Sequence, residues 1–143
     1  MVGAGRATDE QAGAAEAVGR ALAEAGAVIV CGGLGGVMEA ACRGAKSAGG
    51  TTVGILPGFE RADANEHVDV AIATGLGEAR NALIVRAADA LVAIGGEYGT
   101  LSEIALALKG DTPVVGLGTW EINGVEWVAT PDEAVERALG LAA

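Results

Sequence analysis

Residues 90–110 read ALVAIGGEYGTLSEIALALKG, and this stretch decides the fold. The apolar run at 90–94 is typical of a buried parallel strand. A glycine-rich turn follows at 95–99, and residues 100–103 then predict a helix start, because apolar residues recur at helical spacing at Leu101, Ile104, Ala105 and Leu108. A helix N-terminus after such a turn offers free backbone N–H groups and the positive end of the helix dipole. We therefore predict an anion site here, suited to phosphate or carboxylate.

A second strand, turn and helix start lies upstream at residues 28–39, VIVCGGLGGVME. It fits neither the usual dinucleotide fingerprint nor a P-loop, which needs Gly-Lys-Ser/Thr. No acidic residue stands clearly at the end of the third strand to hold a ribose, so a dinucleotide redox role is disfavoured. Two such turns predict a small phosphate-bearing ligand, bound by Gly32, Gly33, Gly35 and Gly36 in the first turn, by Gly95, Gly96, Tyr98, Gly99 and Thr100 in the second, and by Asn81.

Strands and helices alternate along the chain. Besides 90–94, strands are predicted at 27–31, 51–56, 68–74, 113–117 and 125–129, and further helices at about 8–25, 36–47, 78–87 and 130–141. The segment 1–5 is typical of a strand end with a glycine turn, so either translation begins late or the natural start lies upstream of Met1. Alternation implies a parallel sheet with helices on both faces. We predict an α/β fold: a single Rossmann-like, doubly wound domain over 1–143, with a mainly parallel sheet and its ligand at the C-terminal strand ends.

Composition excludes several classes of partner and cofactor. The net charge is −10 with only two lysines, Lys46 and Lys109, which argues against a nucleic acid, because phosphate neutralisation needs clustered basic residues. Cys31 and Cys42 are expected to be buried, reduced thiols of a cytosolic protein. No signal-peptide pattern or membrane-length apolar run is present, so we expect a cytoplasmic protein without a membrane partner. His67 is the single histidine and no close cysteine pair accompanies it, so no metal site is predicted.

Two charged residues are candidates for catalysis. Arg80 is predicted in the first turn of a helix, where a cation opposes the helix dipole and a bound phosphate or carboxylate would relieve the mismatch. Glu103 has two interpretations. It forms a capping box with Thr100, or it lies beside the ligand, where it acts as an acid or base or orients a sugar hydroxyl. Tyr98 either stacks on a ligand ring or packs on the sheet.

The segment Gly95 to Glu103, GGEYGTLSE, resembles the Lonely Guy superfamily, whose signature here is Pro-Gly-Gly-Tyr-Gly-Thr-x-x-Glu. The turn at 32–39, the glycines at 44 and at 49–50, and the segment 54–57, GILP, resemble the other half of the family pattern. Cytokinin-activating members hydrolyse a nucleoside 5′-monophosphate to the free base and ribose 5-phosphate. The resemblance implies that Arg80 and Glu103 would serve that reaction as the catalytic residues.

Three positions depart from the enzyme pattern. Gly95 replaces the motif proline, Glu97 replaces a glycine, and Asn81 stands where the enzymes carry lysine after the arginine. The segments 75–81, GLGEARN, and 36–40, GVMEA, look more like a smaller branch that includes molybdenum cofactor carrier proteins. That resemblance implies a phosphate-bearing pterin as ligand and no chemistry on it.

Two functions therefore stay open. In the first, the chain binds a nucleoside 5′-monophosphate and hydrolyses its N-glycosidic bond as a phosphoribohydrolase that requires no cofactor. The alternative is a non-catalytic carrier of bound molybdenum cofactor, or a nucleotide-binding sensor. Relatives of this fold class form dimers, so we also expect a homodimer or higher homo-oligomer. Its candidate interface positions on the helix at 78–87 are Ala82, Leu83, Val85 and Arg86.

Overall fold

The computed structural model describes residues 1–142, which form a seven-stranded α/β fold with five α-helices. Two 3₁₀ turns, Arg61–Asp63 and Gly77–Arg80, complete the regular structure. In chain order the elements are β1 Val2–Gly3, α1 Asp9–Glu24, β2 Ile29–Cys31, α2 Val37–Ser47, β3 Thr52–Leu56, β4 Val70–Ala73, α3 Asn81–Ala87, β5 Leu91–Ile94, α4 Tyr98–Lys109, β6 Val114–Leu117, β7 Glu126–Trp127 and α5 Pro131–Ala142.

The strands form two parallel sheets that adjoin at β1 and β2. One has the order β1-β5-β6-β7 and the other β2-β3-β4, and every strand pair in both is parallel. The amino group of Met1 donates to the carbonyl of Val30 at 2.9 Å, which joins the two at this border. The predicted Rossmann-like α/β class is confirmed. All carboxyl ends of these strands point to one edge, where ligands bind in such folds.

Helices cover both faces of the sheet, as right-handed crossovers require. Residues of α1, α2 and α5 share one core with the sheet, while α3 and α4 build the other. Two glycines allow α1 and α2 to pack very closely. A Cβ at Gly19 would lie 2.1 Å from the carbonyl oxygen of Ala41, and one at Gly44 would lie 2.0 Å from that of Glu16. Only glycine fits at either place.

Helix α1 begins with a capping box. The Thr8 hydroxyl accepts from the N–H of Gln11 at 3.1 Å, and the Gln11 side chain accepts from the N–H of Thr8 at 3.0 Å. Helix α4 begins differently, because its first residue is Tyr98 and its N-cap, Glu97, makes no side-chain capping bond. The capping-box interpretation of Thr100 and Glu103 is therefore wrong. Thr100 already lies inside the helix, and the carboxylate of Glu103 is left for another role.

Among the helices described within residues 1–142, none has both the length and the apolar character needed to span a membrane.

Candidate functional site

A polar cleft of about 580 Å³ opens at the carboxyl edge of the strands. It lies beside the end of β1 and between the starts of α2, α3 and α4. Its volume is in the range of small-ligand pockets. The wall contains Met1, Val2, Gly3, Gly5, Arg6, Leu34, Met38, Glu78, Arg80, Asn81, Glu97, Gly99, Thr100 and Glu103. The predicted catalytic pair, Arg80 and Glu103, is thus brought to one cleft.

Arg80 is buried, and backbone carbonyls at the carboxyl ends of β3 and β2 hold its guanidinium. Its Nε donates to the carbonyl of Ile55 at 2.8 Å, and Nη2 donates to that of Gly32 at 3.3 Å. Nη1 donates to the side-chain oxygen of Asn81. Burial lowers the pKa of the Arg80 guanidinium, while the nearby carboxylate of Glu103 opposes that change. The guanidinium is therefore fixed in place, with its charge directed at the cleft that it lines.

Asn81 extends this network to the first turn of α4. Its amide nitrogen donates to the hydroxyl of Ser102 at 3.2 Å, and that hydroxyl donates to the carbonyl of Gly99 at 2.7 Å. The side-chain oxygen of Asn81 accepts from Arg80, whereas a lysine at this position would bring a second cation against the guanidinium. This contact explains in physical terms why the chain carries an amide here. Arg80, Asn81 and α4 form one connected support for the cleft.

Glu103 lines the cleft as a buried carboxyl, with 8% of its surface exposed. Burial raises the pKa of Glu103 to about 7, against the attraction of the Met1 amino group and of Arg80. Near neutral pH the carboxyl is divided between its protonated and ionised forms. Such a group can donate a hydrogen bond to a ligand or exchange a proton with it.

At the first glycine turn, two backbone N–H groups are hydrogen-bonded inside the fold. Gly33 and Gly36 have φ values of 78° and 67°, which favour glycine, and the turn they form leads into α2. The N–H of Gly33 donates to the sulfur of Cys31 at 3.3 Å, and the N–H of Val37 donates to the carbonyl of Ala4 at 2.9 Å. The glycines at 32, 33, 35 and 36 are absent from the cleft wall, to which this turn supplies Leu34 and Met38.

The second turn brings the first residues of α4 to the cleft. Gly99 and Thr100 line it, whereas Gly95 and Gly96 are not part of its wall. The N–H of Gly95 is occupied, because it donates to the carbonyl of Leu117 at 3.4 Å. The N–H groups at 98–100 stand in the first turn of the helix and have no carbonyl within the helix to bind. These N–H groups stand beside the cleft wall, at the place where the sequence predicts an anion site.

Tyr98 stands outside the cleft wall and stacks on Trp120. Their ring centroids are 6.1 Å apart, and Tyr98 is 81% exposed. The indole nitrogen of Trp120 donates to the carbonyl of Glu97 at 3.0 Å, so the pair is attached to the start of α4. Of the two alternatives for Tyr98, packing on the sheet is wrong, because its ring packs against Trp120.

The cleft has more acidic than basic side chains. Glu78, Glu97 and Glu103 face Arg6 and Arg80 across it. An anionic ligand therefore meets two basic and three acidic side chains, and one of these carboxyl groups has a raised pKa. Protonation of Glu103 removes one negative charge from the cleft, so anion binding and proton uptake favour each other.

Arg6 is a basic cleft residue that the sequence did not suggest. It follows β1, whose two residues are too few to produce a recognisable strand pattern. The available signal was its position just after a glycine turn at the carboxyl end of the first strand. Every side chain at that edge of a parallel sheet is a candidate for ligand contact.

A Rossmann-like fold with a cleft at the carboxyl edge of its strands is an architecture in which many α/β proteins bind their ligands. The chain belongs to the SLOG cluster4 family, whose sequence profile matches residues 1–139. An uncharacterised protein of Archaeoglobus fulgidus is 48% identical over 140 residues, which are 97% of this chain and 92% of that protein.

Two solved structures are similar over nearly the whole chain. The molybdenum cofactor binding protein of Rippkaea orientalis has a TM-score of 0.92 and 37% identity, covering 99% of this chain and 94% of its own. The molybdenum cofactor carrier protein MCP of Chlamydomonas reinhardtii has a TM-score of 0.88 and 36% identity, covering 98% and 94%. The expected similarity to molybdenum cofactor carrier proteins is confirmed.

Proposed function

We propose that this chain binds molybdenum cofactor, a phosphate-bearing pterin, and carries it without altering it. The observation that carries this proposal is the whole-chain similarity to two proteins whose names state cofactor binding or carriage. The cleft residues fit such a ligand. Arg6, Arg80 and the N–H groups at the start of α4 are donors for phosphate oxygens, and the carboxylates of Glu78 and Glu97 are acceptors for pterin N–H groups.

Phosphate binding is assigned to the start of α4 together with Arg80. Arg80 cannot move freely to follow a ligand, because two backbone carbonyls and Asn81 hold its guanidinium. A charge fixed in this way stabilises a bound anion without losing side-chain entropy on binding. These features suit reversible binding of an intact cofactor.

Hydrolysis of a nucleoside 5′-monophosphate is the second candidate, and Glu103 is the observation that favours it. A buried carboxyl with a pKa of about 7 can protonate a leaving base or activate water, and Arg80 lies in the same cleft to stabilise negative charge. This reaction would need no cofactor. It would use the same cleft, so the two candidates differ in their ligand and in whether a bond breaks.

One experiment separates the two candidates. Purified full-length chain is incubated with molybdenum cofactor released from a molybdenum enzyme, desalted and oxidised, and the retained pterin is measured by fluorescence. We expect about one pterin per chain and, in parallel, no release of free base from AMP. Arg80→Ala should lose retention, whereas Arg20→Ala, an exposed position on α1, should not. Base release that Glu103→Gln abolishes would replace the carrier proposal by the hydrolase, and absence of both activities would contradict both.

We also propose that a second copy of the chain covers the sheet beside α3. Val70 and Ile72 of β4 are 47% and 46% exposed, and Leu83 of α3 is 41% exposed. Val70 pairs with Val53 and Ile72 with Ile55, which belong to the core under α3 and α4, so the exposed strand residues share that face. Val85 was a wrong choice for the interface, because it is buried in that core, whereas Arg86 is exposed.

A further inference from the structure

Three ligand-type side chains meet at a place that the cleft does not use. Glu39 lies in the first turn of α2, and Glu66 and His67 lie in the loop between the Arg61–Asp63 turn and β4. One potential ligand atom from each lies within 4.8 Å of those of the other two. The Nε2 atom of His67 is 3.6 Å from a carboxylate oxygen of Glu66. Glu39 is 28 positions before His67 in sequence, so no short motif joins them.

Hydrogen bonds within the protein fix this loop against the first glycine turn, without help from a metal ion. Asn65 donates from its backbone N–H to the carbonyl of Gly33 at 2.9 Å and from its side chain to that of Leu34 at 2.9 Å. Its side-chain oxygen accepts from the N–H of His67 at 3.0 Å, and the hydroxyl of Thr52 donates to the carbonyl of His67 at 2.6 Å. Both backbone groups of His67 are therefore hydrogen-bonded, which fixes the position from which its imidazole extends.

Lysine and arginine side chains do not neutralise the carboxylates of this cluster in the described part of the chain. Within residues 1–142, neither Glu39 nor Glu66 forms an ion pair with lysine or arginine, while the neighbouring Asp69 is paired with Lys46 at 2.9 Å. Two carboxylates carry negative charge that a divalent cation would neutralise. The side chain of His67 is 24% exposed and that of Glu66 is 79% exposed, so an ion and its remaining water ligands have access from solvent.

We propose that Glu39, Glu66 and His67 bind a first-row divalent transition-metal ion at this position. One imidazole nitrogen with two carboxylate oxygens is a donor set that suits Zn²⁺ and its neighbours, whereas Mg²⁺ and Ca²⁺ prefer oxygen ligands alone. Three protein ligands leave a coordination position for water. The ion would connect the start of α2 to the loop at 60–67. This site uses none of the cleft residues and stands independently of the proposed cofactor binding.

The test is Zn²⁺ binding to full-length chain that has been treated with EDTA and dialysed. Isothermal titration calorimetry with ZnCl₂ should give one ion per chain. His67→Gln and Glu39→Gln should each weaken binding by at least about tenfold, since each removes a direct ligand and loss of an outer-shell partner alone already costs about 10- to 100-fold. Glu60→Gln, which removes an exposed carboxylate just before the Arg61–Asp63 turn, is the matched control and should bind as the unaltered chain does.

A second measurement identifies the ligands. The two thiols, Cys31 and Cys42, are a competing destination for a soft metal ion. The Co²⁺-loaded chain should show no thiolate-to-metal charge-transfer absorption if His67 and the carboxylates hold the ion. Melting curves recorded without metal establish that the variants fold. Strong thiolate absorption, equal binding by all variants, several weak ions per chain, or no binding would each overturn the proposal.

Discussion

Arg80 and Glu103 face the same cleft without forming an ion pair within residues 1–142, because the guanidinium donates to the carbonyl of Ile55 at 2.8 Å instead. The two charges still act on each other through space, since Arg80 lowers the pKa of Glu103 while burial raises it. Burial has the larger effect. The cleft therefore holds the fixed positive charge of Arg80 and the carboxyl of Glu103, which is partly protonated at neutral pH.

Glu103 should make the stability of the fold depend on pH. The pKa of its carboxyl is about 7 in the folded chain and near 4.5 in the unfolded chain. Below pH 4.5 the Glu103 carboxyl is protonated in both the folded and the unfolded state, so it does not lower the free energy of unfolding. Between these two values only the folded state keeps it, so stability falls as pH rises, and above pH 7 the full cost of about 3 kcal/mol is present.

Glu103→Gln removes this cost. In urea unfolding, the variant should be more stable than the unaltered chain at pH 8 by up to about 3 kcal/mol, and the difference should vanish near pH 4.5. Glu24→Gln, at the exposed end of α1, is the control and should give no such trend. A stability difference that is equal at both pH values would show that the carboxyl is not titrating in this way.

Asn81→Lys should destabilise the fold, although lysine is the residue of the resembled enzymes at this position. The substitution removes the acceptor for Arg80 and places a cation beside a buried guanidinium. Leaving a buried charged donor without its partner costs about 1–3 kcal/mol, which thermal unfolding at neutral pH would detect. Asn81→Asp keeps the acceptor and adds an opposite charge, so it should retain most of the stability. Equal melting temperatures for both variants would exclude the Arg80 contact as the cause.

Much of this fold could be predicted from sequence because the signals were local. The apolar run at 91–94, the capping residue Thr8 and the start of α5 at Pro131 each follow from a few neighbouring residues. The sequence also predicted that Arg80 and Glu103 belong to one site, since both follow the carboxyl ends of parallel strands. The predicted strands and helices agree with the observed ones apart from shifts of a few residues at their ends.

Which backbone N–H and carbonyl groups of the glycine turns are hydrogen-bonded could not be predicted, because these bonds join distant segments of the chain. The N–H of Val37 is used by Ala4, and the carbonyl of Gly32 by Arg80, at separations of 33 and 48 positions. The helix start at Tyr98 was also missed. Gly95 and Gly96, with φ values of 59° and 107°, turn the chain into α4 two residues before the position that Thr100 suggested. Local patterns located the turns but not which donors remain free.

Leu83→Asp should reduce the molar mass of the protein in solution if the face beside α3 is an interface. A charge at the centre of a buried apolar contact must lose its water without gaining a partner. Size-exclusion chromatography with light scattering at micromolar concentration would show the change. Leu139→Asp is the control, because Leu139 is 37% exposed on α5, on the opposite side of the sheet. An unaltered chain that elutes as a monomer would contradict the interface itself.

Gly44→Ala tests the close packing of α1 on α2. The added Cβ would lie 2.0 Å from the carbonyl oxygen of Glu16, so the helices must separate or the backbone must shift. We expect a loss of about 1–3 kcal/mol in the free energy of unfolding, as for other substitutions that overfill a packed core. Gly13→Ala is the matched control on α1, because nothing lies within 4 Å of its added Cβ. There the alanine should stabilise the helix by about 0.5–1 kcal/mol, since it restricts the unfolded chain more than glycine does. Opposite signs at the two glycines would attribute the loss to the helix contact, whereas equal effects would attribute it to helix propensity alone.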